Sequence, residues 1–153
     1  MSEEAELTPE ARAVIERLQL EPHPEGGWYR ETHRSDVVLA KDALPDGYPG
    51  DRCTMTSILF LLTTGQRSAW HRVRGEELWI HQAGDELRLA YRARMEDTSV
   101  HTLRLGTREG GVPQAVVPAG QWQAATALPG THGYTLVGCV VAPGFEFEDF
   151  EMA

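Results

Sequence analysis

The apolar positions of this chain change period once. From Thr8, "TPEARAVIERL" sets Ala11, Val14, Ile15 and Leu18 on one stripe at helical spacing, with threonine at the cap and proline at the first helical position. This pattern predicts one amphipathic helix over 8–19. After "LEPHPEGG" the β-branched and aromatic residues gather in short runs parted by Gly, Pro and Asp, the mark of strands. The runs are "WYRETHRS", "CTMTSILFLLT", "SAWHRV", "EELWIHQ", "ELRLAYRAR", "VHTLRLG", "PQAVVPAG", "WQAATAL" and "YTLVGCVVAP". Their spacing predicts an all-β sandwich or jelly roll over 25–150. No repeat of 20 to 50 residues and no linker interrupts them, so one domain over 1–153 is expected. "VLAKDALPDGYPGDR" is the one long loop, either a surface excursion or a lid.

Alternation within a strand assigns faces. In "EELWIHQ", Glu77, Trp79 and His81 share one side and Leu78 and Ile80 the other. Both sides carry hydrophobes, so two readings stand. Leu78 and Ile80 are core and the other three face water, or Glu77, Trp79 and His81 line a polar cavity while Leu78 and Ile80 pack outward. The indole of Trp79 favours the second, since a large apolar ring on a solvent face needs a reason. His71, on one face with Ala69 and Val73, precedes the turn "RGE", and a hairpin there brings it beside Glu77 on the next strand.

Composition narrows the function classes. Hydrophobic residues make up 41% of the 153 positions and charged residues 24%, close to the globular average. A net charge of -9 with scattered arginines argues against a nucleic-acid partner. "ILFLL" is too short to cross a bilayer, so no membrane association is expected. The start "MSEEAELTPEARAVIERL" has no basic segment followed by an apolar core, which points to a cytoplasmic protein. The acidic tail "FEFEDFE" reads as a solvated end. Cys53 and Cys139 lie too far apart for a zinc knuckle or a CxxC pair and read as two buried thiols.

Gly65, His71, Val73, Glu77 and Gly84 reproduce the spacing of the first cupin motif, with valine in place of its second histidine. Pro118, Ala119, Gly120 and Gln123 resemble the second motif, with glutamine in place of its histidine. "PHPEGGWYRET", "QAVVPAGQWQAA" and "LVGCVVAPGFEFEDFE" are similar to blocks of a narrower group, the functionally uncharacterised cupin_5 family. The resemblance implies a double-stranded β-helix of two antiparallel sheets behind a short helix, paired as a homodimer, with a pocket at one end of the barrel. It also implies kinship with deoxysugar epimerases, which need no metal.

Three chemistries remain open. Cupin metal sites typically use three histidines and a glutamate; here His71, Glu77 and Gln123 are what is left to hold a divalent metal, a poor set for iron or nickel. No cofactor is therefore expected, with the metal enzyme as an alternative. The leading reading is metal-independent acid/base isomerisation, epimerisation or elimination on a small sugar or carbonyl acid. His71 would be the acid or base, with Glu77, or Glu76 beside it, as orienter. Arg30, Arg72 or the Tyr134 hydroxyl would hold the developing oxyanion. The third reading is binding without turnover, in a pocket lined by Phe60, Trp79 and Trp122 with Ser57, Ser68, His81 and Gln123 as polar contacts. Structural roles compete throughout: a salt bridge to Glu31 for Arg30, a core ring for Tyr134, plain core for Trp122.

Overall fold

The structure is a computed structural model that describes residues 7–153. The acidic start over 1–6, part of the stretch read for a secretion signal, lies outside the described residues. Helix α1 (Pro9–Leu18) forms where its pattern predicts: the Thr8 hydroxyl accepts from the Ala11 amide at 3.1 Å, and Gln19 closes the helix in the left-handed conformation. Ala11, Val14 and Ile15 are its buried stripe.

Two antiparallel sheets face each other. The first comprises β1 (Glu21–Pro22), β2 (Trp28–Arg34), β5 (Thr56–Thr63), β7 (Glu76–Gly84), β10 (Gln114–Val117) and β12 (Tyr134–Ala142) in the order β1-β2-β5-β12-β7-β10. The second comprises β6 (Arg67–Arg72), β8 (Leu87–Arg92), β9 (His101–Leu105), β11 (Trp122–Ala127) and β13 (Glu151–Met152) in the order β13-β6-β11-β8-β9. A small ladder of β3 (Val38–Leu39) and β4 (Arg52–Cys53) ties down the long loop, which also buries Leu44 and Tyr48. Each of the nine runs read as strands contains one; β1, β3, β4 and β13 span two residues each, too short to show a period.

The pairing register sorts the side chains. Across the first sheet, Glu31, Ile58, Cys139, Trp79 and Ala115 stand in one row, and Arg30, Leu59, Gly138, Ile80 and Gln114 in the next. Neighbouring rows face opposite ways. The first belongs with the main core between the sheets, where Phe60, Leu62, Trp79 and Val137 meet Leu87, Leu89, Leu105 and Ala125. The second lies on the outer face. There α1 covers Trp28, Leu61, Tyr134 and Leu136, a second core. Glu77 and Trp79 thus point between the sheets while Leu78 and Ile80 face out and stay half-buried.

Candidate functional site

Between the sheets, next to the apolar layer of Phe60 and Trp79, lies a cavity of about 210 Å³ whose walls carry His71 and Glu77. Four stretches of chain build it. The turn His23–Gly27 closes with Gly26 N–H donating to His23 O at 3.0 Å and His23 N–H to Gly27 O at 2.9 Å. Gly26 and Gly27 both have positive φ, and a Cβ on Gly27 would meet Leu61 O at 2.8 Å, so only glycine lets the turn lie this close to β5. The turn is pinned to β6 by Ala69 N–H donating to Glu25 O at 2.9 Å. That bond accompanies an extra residue in β6: its partner β11 advances two residues, Gln123 to Ala125, while β6 advances three, from His71 back to Ser68. Ser68 and His71 are consequently both buried, whereas strict alternation would set His71 with Ala69.

His71 is held at both ring nitrogens. Nδ1 lies 2.7 Å from the Ala69 carbonyl, which can only accept, so this nitrogen carries a proton. Nε2 lies 2.7 Å from Glu25 Oε2, an ion pair between side chains that are 3% and 6% exposed. The approach is off the hydrogen-bond axis, so Oε2 has no directed hydrogen bond despite the short distance. Burial pulls the His71 pKa down, but the charges of Glu25 and then Glu77 outweigh it and hold the imidazole above its usual 6.5, favouring the imidazolium.

Glu77 has a different partner. Gln123 donates to Glu77 Oε1 at 2.8 Å and accepts from Trp79 Nε1 at 2.8 Å. An indole N–H can only donate, so Trp79 fixes the amide oxygen toward itself and turns the amide nitrogen to the carboxylate. Burial, helped by the charge of Glu25, pushes the Glu77 carboxyl up to about 7 against the opposing pull of His71, Gln123 and the Cys139 thiol. Cys139 is buried and burial, with Glu77 beside it, pushes its thiol well above the usual range. His23 has its Nδ1 occupied by the Glu25 amide at 3.1 Å, and burial lowers its pKa, so the neutral ring is favoured.

The remaining wall is largely aromatic and comes from the tail. Phe145, Phe147 and Phe150 join Tyr29 around the opening, and the Phe150 ring stacks on His71 at 5.4 Å. This corrects the reading of the tail as a solvated end. Asp149 is buried in a bidentate pair with Arg52, both bonds 2.8 Å, and β13 pairs with the strand that carries His71. The long loop contributes Arg52 to that clasp rather than a lid.

Of the candidate site residues read from the sequence, the cavity wall contains His71, Glu77 and Val73. The hairpin expected to pair their strands does not form, because the chain crosses from one sheet to the other between β6 and β7, so His71 and Glu77 approach from opposite sheets. Gln123 and Trp79 sit behind Glu77 and Phe60 beneath them, all buried in the interior. Ser68 is buried with its hydroxyl unpaired. Arg30 and Ser57 fall in outward rows; Arg30 is exposed and donates to Gln19 Oε1 at 2.6 Å, while the pair to Glu31 comes from Arg34. Glu76 is exposed at the start of β7. His81 lies four residues along β7 from Glu77, about 13 Å at strand rise, and approaches Asp85 O at the far end of the molecule. Tyr134 packs under α1. Trp122 is buried beneath the Arg72 guanidinium, which also pairs with Glu151. Sequence reasoning missed Phe145, Phe147 and Phe150 of the tail, and also His23, Glu25 and Tyr29, on or beside the "PHPEGG" turn; the histidine and carboxylate of that turn, two residues apart before paired glycines, were the available signal.

These donors do not fit a metal. Val73 offers none, the Gln123 oxygen is taken by Trp79, and His71, favoured as the imidazolium, carries a proton on each ring nitrogen and has no lone pair to give. Among the described residues no group of three or more His, Cys, Asp or Glu is arranged to hold an ion. No helix among them is long and apolar enough to cross a membrane.

Comparison with known proteins agrees with this architecture. An uncharacterised protein of Saccharomyces cerevisiae, YML079W, is 32% identical over 92% of this chain and 76% of its own length. A hypothetical protein from Leishmania major superposes with a TM-score of 0.81 at 34% identity, covering 94% of this chain and 86% of that one. Protein SO0799 from Shewanella oneidensis gives 0.76 at 36% identity, covering 94% and 84%. Two enzymes share the fold alone: CapF, with a TM-score of 0.60 at 10% identity over 87% of this chain and 33% of its own, and Bacillus subtilis oxalate decarboxylase, with 0.57 at 16% over 86% and 29%. The family model described as "Cupin superfamily (DUF985)" matches residues 12–153, and the chain belongs to that family, Cupin_5.

Proposed function

We propose that the cavity binds a small polar carbonyl compound, a sugar or a carbonyl acid, and moves a proton on the carbon beside the carbonyl without a metal. The observation that carries this is Glu77, a buried carboxyl raised to about 7 and aimed by Gln123 in the wall of the cavity. A general acid or base works best when its pKa lies near the working pH. At about 210 Å³ the cavity is below the ~300–1,000 Å³ of sites for drug-sized ligands, which suits a small metabolite.

In this reading Glu77 as carboxylate takes the proton from carbon, and the electron pair moves onto the carbonyl oxygen. The His71 imidazolium, kept charged by Glu25, stabilises that oxygen through its off-axis Nε2 proton. Return of the proton by Glu77 to the neighbouring carbon gives isomerisation, a proton supplied to the opposite face by His71 or water gives epimerisation, and departure of a β-substituent with its bonding pair gives elimination. Of the two roles expected for His71 this reading keeps the acid, and Glu25 takes the part of orienting carboxylate that was expected of Glu77.

The test is proton exchange in D2O with aldoses, keto-sugars and 2-keto acids, followed by proton NMR. One of these classes should lose its α-hydrogen signal. The rate should drop by roughly 10²–10⁴-fold, the usual share of acid/base catalysis, in Glu77→Gln and in His71→Ala with circular dichroism unchanged. Saturable binding with no exchange would move the protein to the non-catalytic class, and exchange unaffected by either substitution would remove the pair from the mechanism.

A further inference from the structure

The charges around the cavity are not balanced. Inside, Glu25 is matched by His71. At the rim, Arg34 is shared by two carboxylates, 2.7 Å from Glu31 and 2.8 Å from Glu146, and it also donates to Phe145 O at 3.0 Å. One rim carboxylate is therefore in excess, and Glu77 adds another whenever it is ionised. Neutral His23 compensates neither. An incoming carboxylate would find no cation of the wall unpaired, and it would enter a pocket of low polarity against a net negative field.

Glu25 makes the same point at one atom. Its side chain is 6% exposed, it lines the cavity, and its Oε2 has no directed hydrogen bond. A buried carboxylate oxygen left without one is costly, so an N–H donor on a ligand gains more here than in water. The same cavity is lined by Tyr29, Phe145, Phe147 and Phe150, and aromatic rings both attract a cation over their faces and tolerate an apolar body.

We propose that the pocket selects a small organic cation, an amine-bearing molecule whose N–H groups fill the open acceptor of Glu25, and rejects carboxylates of the same size. The inference rests on this cavity being the working site and narrows its ligand to carbonyl compounds that also carry an amine, setting aside the carbonyl acids. It leaves Glu77 free for proton transfer.

Three probes of one shape and different charge read the selectivity: benzylamine, protonated at neutral pH, benzyl alcohol and benzoate. Titration calorimetry on the purified full chain should show benzylamine binding at least tenfold more tightly than benzyl alcohol, and benzoate more weakly than either. Glu25→Gln should remove the tenfold preference. Glu31→Gln, exposed at the rim, should reduce it without risk to the fold and serves as the second variant. Equal affinities, tighter benzoate, no binding of any probe, or a preference untouched by both substitutions would overturn the proposal. Proton exchange on a keto acid together with tight benzoate binding would leave the acid/base reading standing and sink this one; charge selectivity without exchange would do the reverse.

Discussion

Val73 makes the wall beside His71 apolar, and Gln123 replaces a charged or metal-binding partner with an amide that Trp79 can orient. Both substitutions were visible in the sequence as departures from the cupin motifs. Their consequence was not, because the partner that takes up His71 is Glu25, on a turn 46 residues earlier in the chain. The raised Glu77 carboxyl has a measurable cost. In the unfolded chain it titrates near 4.5 and in the fold near 7, so between those values the native state holds a proton that the unfolded state has lost. Its stabilising contribution is complete below pH 4.5 and disappears as the pH rises through 7. By linkage this amounts to about 3 kcal/mol at most. The same sign applies to His71, whose raised pKa also yields stability that fades as pH rises. Glu77→Gln should therefore lose less unfolding free energy than the wild type between pH 4.5 and 8 in urea titrations, keeping only the part due to His71. Identical pH slopes would show that Glu77 titrates like an exposed carboxyl.

Among the elements, the tail from Phe145 to Met152 decides whether the cavity is walled. It has little secondary structure: a single 3-10 turn at Phe147–Asp149 and the two residues of β13. What holds it is charge. Arg52 and Asp149 are each 3% exposed, and Arg74 reaches the same carboxylate at 3.0 Å. Removing one member of such a pair strands the other in a place where solvation is poor, typically at a cost of about 3–5 kcal/mol. Asp149→Ala should cost close to that range in denaturant unfolding, softened by Glu148, which holds Arg52 at 2.6 Å. It should also speed hydrogen exchange at the Asp149 and Phe150 amides, which now bond to Glu146 and Phe147. Protection unchanged at these amides would mean that aromatic packing alone fastens the tail. Acidic residues alternating with phenylalanine gave no sign of this, since the same pattern suits a solvated end and the arginines come from distant segments.

At the scale of the molecule, the six-stranded sheet has an outer face that α1 covers only in part. Val116, Leu78 and Val140 lie in one outward row beyond the helix, with Val116 exposed and the other two half-buried. The family resemblance implies a pair of copies, and this face is where we expect it. Light scattering should return twice the 17.0 kDa chain mass, and Val116→Glu should lower it toward one chain; a monomeric wild type would end that expectation. The fold was readable from local patterns because a period of 3.6 marks one helix, a period near two marks the longer strands, and glycines mark the turns between them. These signals are carried by neighbours in sequence and survive without the rest of the chain. By itself the sequence determined the helix, the nine longer strands, the jelly-roll family and the presence of His71 and Glu77 on successive strands, but not that these strands enter opposite sheets. Only the tertiary structure decided which carboxylate meets which partner, that His81 and Arg30 stand away from the cavity, and that the tail closes it. Those outcomes depend on a one-residue bulge and on ion pairs between segments far apart in sequence, and a shift of one residue exchanges the faces of a strand.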